Sequence, residues 1–460
     1  MRHKAVMVIL SVTALLFATV GYVVADLYDR VPGFLTFSQA VSPAAPPALP
    51  HVEKNQNVQW KATEGNPVDP KQLEHLWQKN EAAAAEGGWK SWAKIVDATT
   101  GETLLEKNTS QAHTPASVTK ILTAYAALTH LSPSQRLATG VSREGTNLYL
   151  WGQGDLLLGA GTGNPDAVNG QAGVADLAGK TIAALNNNGV NAVQLYWAPQ
   201  PFTGPSHLNT WDQQNSGDYE GHVAAFAVDA GRIDGQENAF YSAPAATVAT
   251  LFADYLRAAG ITVEMISEAA PPENTYEVAR IESATQAQQI RYMLEQSDNT
   301  LADQYCRLTA RTIGAETSYS GAVSTLILTL QNAGIPTQGI HLDDCSGLSE
   351  NDRVSADTLI ATIFDSVREH KTPAVANLVR SLPIAGVSGT LTSRLQSENT
   401  RANVQAKTGT LGKTVSMAGV LTTTSGRLLI FALGNDDVPR NEAVTTRPHI
   451  DEFLHELSNL

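Results

Sequence analysis

The sequence predicts an α+β protein in which helices flank an antiparallel sheet and a large domain is inserted between two parts of that structure. Late in the chain, residues 403–434 alternate apolar runs with turn residues, which is typical of consecutive antiparallel strands. A helical pattern follows at 449–460 and could cover that sheet. Residues 141–275 show a different pattern, which predicts short strands, turns at glycine and asparagine, and helices. Helices combined with an antiparallel sheet and interrupted by an insertion make an α+β architecture.

The N-terminus has the features of an export segment. Residues 5–25 are 21 residues without a charge, with Arg2 and Lys4 before them and acidic residues after them. About 20 apolar residues are needed to span a bilayer, and a cleaved signal usually has a shorter apolar run. We therefore expect a membrane anchor that leaves the rest of the chain outside the cytoplasm, in the cell envelope. Val23 and Ala25 leave a cleaved signal peptide open as the alternative.

Composition shifts along the chain predict its domain organisation. A proline and alanine tract at 41–50 cannot form a helix or a central strand, so it is interpreted as an extended spacer. The predicted segments are an anchor or signal at 1–30, a Pro/Ala-rich flexible linker at 31–70, the first part of the main domain at 71–140, the inserted domain or domains at 141–275, and the second part of the main domain at 276–460.

Local patterns predict the elements of these segments in order. Strong helix formers favour a helix at 71–85, and two apolar runs around Thr-Thr-Gly-Glu favour a hairpin at 92–108. In the insertion we expect a strand at 147–152 and helices at 174–189 and 247–260. After it we expect a strand at 276–283, a helix at 285–294 and a strand–turn segment at 371–383.

Charge and cysteine content exclude several classes of function. The net charge of −14 and the pI near 5.2 would repel phosphate backbones, so nucleic acid is not an expected partner. Cys306 and Cys345 are the two cysteines, too few for a zinc site or a disulfide scaffold, and their pairing stays open. No His-Glu-x-x-His occurs, and we expect neither a metal nor a cofactor.

Two Ser-x-x-Lys pairs compete as a nucleophile and its base. Ser91 and Lys94 lie at the start of a predicted strand, where side chains three apart point to opposite faces. Ser117 and Lys120 open a stretch with apolar residues at helical spacing, after Thr114 and Pro115 as plausible starters. Residues three apart on a helix are neighbours, so only the second pair can form a working site.

Two further short motifs are weak evidence for a catalytic site when each is taken alone. Ser-x-Asn occurs three times, and the copy Ser297-Asp298-Asn299 is favoured because it joins two predicted helices. Lys407-Thr408-Gly409 occurs once, in a predicted strand where the glycine would let another group approach the backbone closely. Taken alone, it could equally be a surface lysine, a strand-forming threonine and a bulge glycine.

Together and in this order, the three motifs resemble those of penicilloyl serine transferases, the group that includes penicillin-binding proteins and serine β-lactamases. The segments 343–355 and 382–395 are similar to the D-alanyl-D-alanine carboxypeptidase/endopeptidase family, the class C low-molecular-mass penicillin-binding proteins. The resemblance covers about residues 90–437 and implies a β-lactamase/transpeptidase-like domain. Ser117 and Ser297 are 180 positions apart, which leaves room for the extra domain that this family carries between its first two motifs.

The resemblance also implies a chemistry for each residue. Ser117 would be the nucleophile, Lys120 its base and Ser297 a proton relay. The expected substrate-binding residues are Asn299, Lys407, Thr408, Gly409 and Thr410. The implied reaction releases the last D-alanine from a peptidoglycan stem peptide, or cleaves a cross-link, and β-lactam antibiotics should acylate the same serine.

Other functions remain as alternatives. A serine β-lactamase shares the motifs, but the Glu-x-x-Leu-Asn pattern of the class A enzymes is absent from this sequence between the second and third motifs. An envelope-binding protein that kept the fold and lost the chemistry would have lost a motif residue, and all are present. His113 and His341 could suggest a Ser/His system, but no Gly-x-Ser-x-Gly occurs, and ordinary packing or surface roles are expected for both.

Overall fold

The computed structural model describes residues 65–368, 372 and 374–460, together with Tyr22. The predicted anchor at 5–25 and the linker up to residue 64 lie outside the described residues, Tyr22 apart. None of the helices within the described part of the chain is long and apolar enough to cross a membrane.

Helices and strands are numbered in chain order. The helices are α1 (Pro70–Gly87), α2 (Thr119–His130), α3 (Val174–Asn187), α4 (Asn209–Gln213), α5 (Pro244–Ala258), α6 (Gln286–Gln296), α7 (Asn299–Thr312), α8 (Tyr319–Asn332), α9 (Ala356–Val367), α10 (Asn377–Arg380) and α11 (Arg447–Ser458). The strands are β1 (Lys90–Asp97), β2 (Thr103–Lys107), β3 (Arg136–Glu144), β4 (Asn147–Gly152), β5 (Asp155–Leu158), β6 (Ala192–Trp197), β7 (Phe226–Val228), β8 (Thr262–Glu268), β9 (Tyr276–Thr285), β10 (Val404–Leu411), β11 (Thr414–Thr422) and β12 (Leu428–Asp436).

The main sheet has the strand order β10-β11-β12-β1-β2, and every neighbouring pair is antiparallel. It therefore combines the hairpin β1–β2 with the last three strands. The sequence predicts the hairpin at 92–108 and the consecutive antiparallel strands at 403–434, and both are present. Strand β10, which carries Lys407-Thr408-Gly409, lies at an edge of this sheet. An edge strand leaves alternate backbone groups free for another partner.

Both faces of the main sheet are covered, which explains why β11 and β12 are buried almost throughout. In β12, Leu429, Phe431 and Leu433 belong to one core cluster, which also contains residues of α1 and α11. Ile430 and Ala432 point the other way, into the cluster built around α2, α7 and α9. Because side chains alternate along a strand, this arrangement gives three layers with the sheet in the middle.

A second five-stranded sheet lies between α2 and α6 in the sequence, with the order β8-β6-β4-β3-β9. Strand β6 pairs in parallel with β4 and β8, whereas β3 pairs antiparallel with β4 and β9. This sheet has its own apolar cluster with α3 and α5. The proposed boundary at residue 140 falls inside β3, and the division into domains stays a prediction.

One predicted element is wrong. The sequence pattern at 371–383 predicts a strand and a turn, but residues 377–380 form the short helix α10. In this helix and the turns on either side of it, Val375, Leu378, Val379 and Leu382 are buried in the core cluster around α2. Their spacing of three, four and seven residues is helical, and this periodicity outweighs the strand propensity of the valines.

A disulfide joins Cys306 on α7 to Cys345, so the pairing left open by the sequence is present. Two further hydrogen bonds hold the backbone of residue 345. Its N–H donates to Asp303 Oδ1 at 2.9 Å, and its carbonyl accepts from Thr123 Oγ1 at 2.6 Å. The segment that follows Cys345 is thereby fixed against both α2 and α7.

Candidate active site

The three motifs meet at one place. Lys120 Nζ lies 3.0 Å from Ser117 Oγ and 2.5 Å from Asn299 Oδ1. Lys407 Nζ donates to Ser297 Oγ at 2.9 Å. Two lysines thus connect α2, the α6–α7 junction and the edge strand β10, which are far apart in the sequence.

Ser117 lies just before the helix rather than within it. It is the middle residue of a 3₁₀ turn, Ala116–Val118, and α2 itself begins at Thr119. The preceding residue, Ala116, has a φ of 49°, which is uncommon for a residue with a side chain. Ser416 Oγ donates to the Pro115 carbonyl at 2.5 Å and ties this turn to the main sheet.

The second motif is placed by the junction of two helices. Ser297 ends α6 with a left-handed φ of 57°, and Asp298 caps α7 by accepting from Leu301 N at 2.8 Å. The other carboxylate oxygen of Asp298 accepts from Arg232 at 2.7 Å. Asn299 is then the first residue of α7, and its Nδ2 donates to the Tyr219 carbonyl at 2.8 Å.

Both lysines are fully buried, each with a relative exposure of 0%. Burial penalises the charged form and lowers the pKa of Lys120 to about 8, although carboxyl groups led by Glu220 oppose this. Burial also lowers the pKa of Lys407, and the positive charge of Lys120 lowers it further. Amines with lowered pKa values can exchange protons near neutral pH, which ordinary surface lysines cannot.

Sequence reasoning missed the segment 344–349 as part of the site. The Ser346 carbonyl accepts from Lys120 Nζ at 2.8 Å, so this backbone group helps to orient the amine. Asp344 holds the segment by accepting from the backbone N–H groups of Ser346, Gly347 and Ser349. The similarity of 343–355 to the family was visible in the sequence, but the contact with Lys120 depends on tertiary packing.

Gly347 provides a test of that placement. Its φ is 80°, and a Cβ there would lie 1.9 Å from the Ala116 carbonyl oxygen. Gly347→Ala should move the segment away from the Ser117 turn, with a loss of about 1–3 kcal/mol in stability and roughly 10-fold or more in the rate of acylation by penicillin. Gly179→Ala on α3, where a Cβ meets nothing within 4 Å, is the control. It should leave the acylation rate unchanged and should not lower stability, because alanine is the better helix former. Unchanged acylation in Gly347→Ala would contradict this role.

Two charged residues near the motifs also escaped prediction. Glu220 is buried, and neither of its carboxyl oxygens has a hydrogen-bond partner within the described part of the chain. Burial and then the nearby carboxyl of Asp303 raise its pKa. Arg447 donates from Nη2 to Thr410 Oγ1 at 2.9 Å and brings a cation beside β10. Neither residue belongs to a short motif.

The motif residues line a cleft of about 600 Å³, which we call the catalytic cleft. Its walls include Ser117, Ser297, Asn299 and Thr410, and also Gln214, Ser216 and Tyr219. The last three come from the long segment between the first and second motifs, to which the sequence assigned no site residues. Thr408 lies beside the cleft residues on β10, with its hydroxyl 2.8 Å from that of Thr390.

The residues considered as alternatives to Ser117 and Lys120 form contacts outside the site. Ser91 Oγ donates to Asn435 at 2.7 Å, and Lys94 pairs with Glu106 and Asp357. His113 is buried and stacked on Trp92, with its two ring nitrogens hydrogen-bonded to Asp436 and to the Asn108 carbonyl.

Comparison with known proteins identifies the family of this chain. The sequence pattern of the D-Ala-D-Ala carboxypeptidase 3 (S13) family matches residues 72–240 and 236–457. The chain is 34% identical over 372 residues to carboxypeptidase DacB of Mycolicibacterium smegmatis, covering 78% of each protein. It is 34% identical over 360 residues to a carboxypeptidase of Mycobacterium tuberculosis, covering 76% of each. The fold is similar to that of penicillin binding protein 4 from Haemophilus influenzae, with a TM-score of 0.65 and 20% identity over 84% of this chain and 98% of that one.

These comparisons confirm the resemblance and the fold class that the sequence predicts. They also favour the carboxypeptidase interpretation over the serine β-lactamase alternative, because the family match extends across nearly all of residues 72–457. The chain therefore belongs to the D-Ala-D-Ala carboxypeptidase 3 (S13) family and is a serine-type D-Ala-D-Ala carboxypeptidase.

Proposed function

We propose that Ser117 carries the reaction as the nucleophile and Lys120 as its base. Ser117 Oγ attacks the carbonyl carbon of the penultimate D-alanine while its proton passes to the neutral Lys120 amine. The carbon–nitrogen bond then breaks, and Ser297 relays a proton to the leaving D-alanine amine. Water attacks the resulting ester, which releases the shortened peptide and restores Ser117. The observation that carries this proposal is the single amine of Lys120 lying within hydrogen-bond distance of both Ser117 and Asn299.

The edge strand β10 supplies the groups that bind the substrate. The N–H of Ala406 points away from β11, since it donates to the Pro383 carbonyl, and alternation gives the same outward direction to the N–H groups of Thr408 and Thr410. We assign the N–H groups of Ser117 and Thr410 to the developing oxyanion. Asn299 would hold the substrate amide.

The terminal carboxylate of the substrate needs cations and hydroxyls. Lys407, Thr408 and Thr410 provide these on β10, and Gly409 lets the strand pass close to the Ser117 turn, since a Cβ there would lie 2.8 Å from the Pro115 carbonyl oxygen. Arg447 adds a second cation beside Thr410. A bound carboxylate favours the protonated form of Lys407, which offsets the lowering of its pKa by burial.

The acylation rate should increase with pH. Only the neutral amine of Lys120 can accept the Ser117 proton, and its pKa is lowered to about 8. Below that pH most of the amine is protonated, so the rate should fall about tenfold for each unit further down. Stopped-flow measurement of penicillin acylation checks this dependence. The pH should range from about 5.5 to about 9.5, because this range brackets the pKa of a buried lysine base. A rate that is flat across this range would contradict Lys120 as the base.

Penicillin turnover tests the β-lactamase alternative directly. We expect a fluorescent penicillin to leave a long-lived covalent adduct on the protein, together with slow release. Rapid turnover without an accumulated adduct would instead favour a β-lactamase. Digestion of purified peptidoglycan, followed by mass analysis of the muropeptides, would show whether terminal D-alanine release is accompanied by cleavage of cross-links.

The location in the cell envelope is proposed from the N-terminal sequence. Residues 5–25 are long enough to anchor the chain, and the positive residues before them favour export of the part of the chain after residue 25. Fractionation of cells that produce the full chain should find it with the membranes. A shortened soluble product beginning near residue 26 would instead show a cleaved signal.

A further inference from the structure

A second cavity of about 600 Å³ lies next to the catalytic cleft, and we call it the outer cavity. The two are neighbours, because Glu350 and Leu411 line both of them. Its floor includes the buried His113 and Thr414, and its rim includes exposed Asn108 and Gln111. None of these residues takes part in the chemistry described above.

The charged side chains that line the outer cavity differ in whether they have an ion-pair partner. Each of its three carboxylates has a partner in the structure. Asp437 pairs with Lys90 at 2.8 Å, Asp436 contacts His113 at 2.7 Å, and Glu350 pairs with Arg440 at 2.8 Å.

Two cations of the same cavity have no such partner. Arg353 donates from Nη1 to the backbone carbonyls of Glu350 and Asp352, at 2.8 and 2.7 Å. The side chain of Lys413 is exposed at the rim. Among the residues that the structure describes, neither cation has a carboxylate within ion-pair distance. The lining contains three cations, Lys90 among them, and three carboxylates, so its formal charges balance. An anionic ligand would meet the two cations that have no carboxylate partner.

The direction of the bound peptide decides what reaches this cavity. With its carboxylate at Lys407 and its scissile carbonyl at Thr410, the substrate runs antiparallel to β10, as an added edge strand. Its acyl side then extends past Leu411. Strand β10 ends at Leu411 and turns through Gly412 and Lys413 into β11. If the acyl D-alanine lies level with Thr410, an extended peptide rising about 3.3 Å per residue brings the residue two positions before it to this turn, beside Lys413 and the Glu350–Arg440 pair.

We infer that the outer cavity is an acyl-side subsite that selects a carboxylate on the peptide residue two positions before the acyl D-alanine. Arg353 and Lys413 bind this carboxylate, while Asn108 and Gln111 offer neutral hydrogen-bonding groups around it. This inference rests on the proposed function, because the peptide direction follows from the roles of Lys407 and Thr410. It adds a preference for a substrate that carries an acidic residue at this position. The motif residues cannot supply that preference.

Two acetylated tetrapeptides test the subsite, one Glu-Ala-D-Ala-D-Ala and the other Gln-Ala-D-Ala-D-Ala. They differ only by a carboxylate against an amide at the selected position. With the wild-type enzyme, kcat/KM for D-alanine release should be on the order of tenfold higher for the glutamate peptide, mainly through KM. The preference should also weaken as salt is added, because exposed cations are screened.

The double variant Arg353→Gln/Lys413→Gln should bring the two peptides within about twofold of each other, mainly because kcat/KM for the glutamate peptide falls. Lys71→Gln removes an exposed lysine elsewhere, on α1, and as the control should keep the wild-type preference. An equal preference in the double variant and the wild type would overturn the inference, as would wild-type release without any preference for glutamate. Failure of the wild type to release D-alanine from either peptide would overturn the proposed function as well.

Discussion

Ser117→Ala is expected to abolish covalent labelling by a fluorescent penicillin and to reduce D-alanine release by about 10⁴-fold or more. The hydroxyl is the group that forms the acyl bond, and neither Lys120 nor Ser297 can replace it from its observed position. The substitution removes one oxygen at a half-buried position, so the fold should persist. Gel fluorescence after labelling and a thermal unfolding curve measure the two effects together.

Ser91→Ala is the matched control, because Ser91 belongs to the other Ser-x-x-Lys pair. Its hydroxyl donates to Asn435 rather than to a lysine, so labelling should match the wild type. Loss of that buried hydrogen bond should cost about 1 kcal/mol of stability. If Ser117→Ala still formed a penicillin adduct at the normal rate, another residue would be the nucleophile and the proposed site would be wrong.

Lys120→Met is expected to slow acylation by about 10³-fold or more, with Ser117 still present. Methionine fills a similar volume but cannot accept a proton, and the Ser117 hydroxyl would then have to react without a base. The remaining rate should also lose its dependence on the pKa of about 8 that Lys120 provides. Rapid-quench labelling at several pH values measures both the rate and its pH profile.

Lys94→Met supplies the control for that substitution, since Lys94 on β1 pairs with Glu106 and Asp357 instead of with the motif residues. Its acylation rate and pH profile should be those of the wild type. A Lys120→Met variant that kept the wild-type pH profile would assign the base to another group, and Lys407 would be the first to examine because its pKa is also lowered.

Much of the main domain could be predicted because its signals are local. The strands at 403–434 alternate between two apolar faces, and the helix at 71–85 consists of strong helix formers. The segment 371–383 shows where local propensity misleads. Its valines suggest a strand, whereas the positions that need burial are spaced as on a helix.

The candidate site was predictable to the extent that it consists of short motifs. Ser117 with Lys120 is a contact three residues apart, which helix geometry implies. No short spacing in the sequence indicates that Glu220, Arg447 or the Ser346 carbonyl belongs to the site. They come from three other segments, and only packing brings them to the motif residues.

By itself, the sequence determined which residues can do the chemistry and which family the motifs resemble. Residue type and near-neighbour spacing are properties of the chain alone. The tertiary structure decided that Lys120 lies between Ser117, Asn299 and Ser346, and that its amine is fully buried. Such contacts between distant residues, and the lowered pKa that burial produces, depend on how the layers pack and on the water that packing excludes.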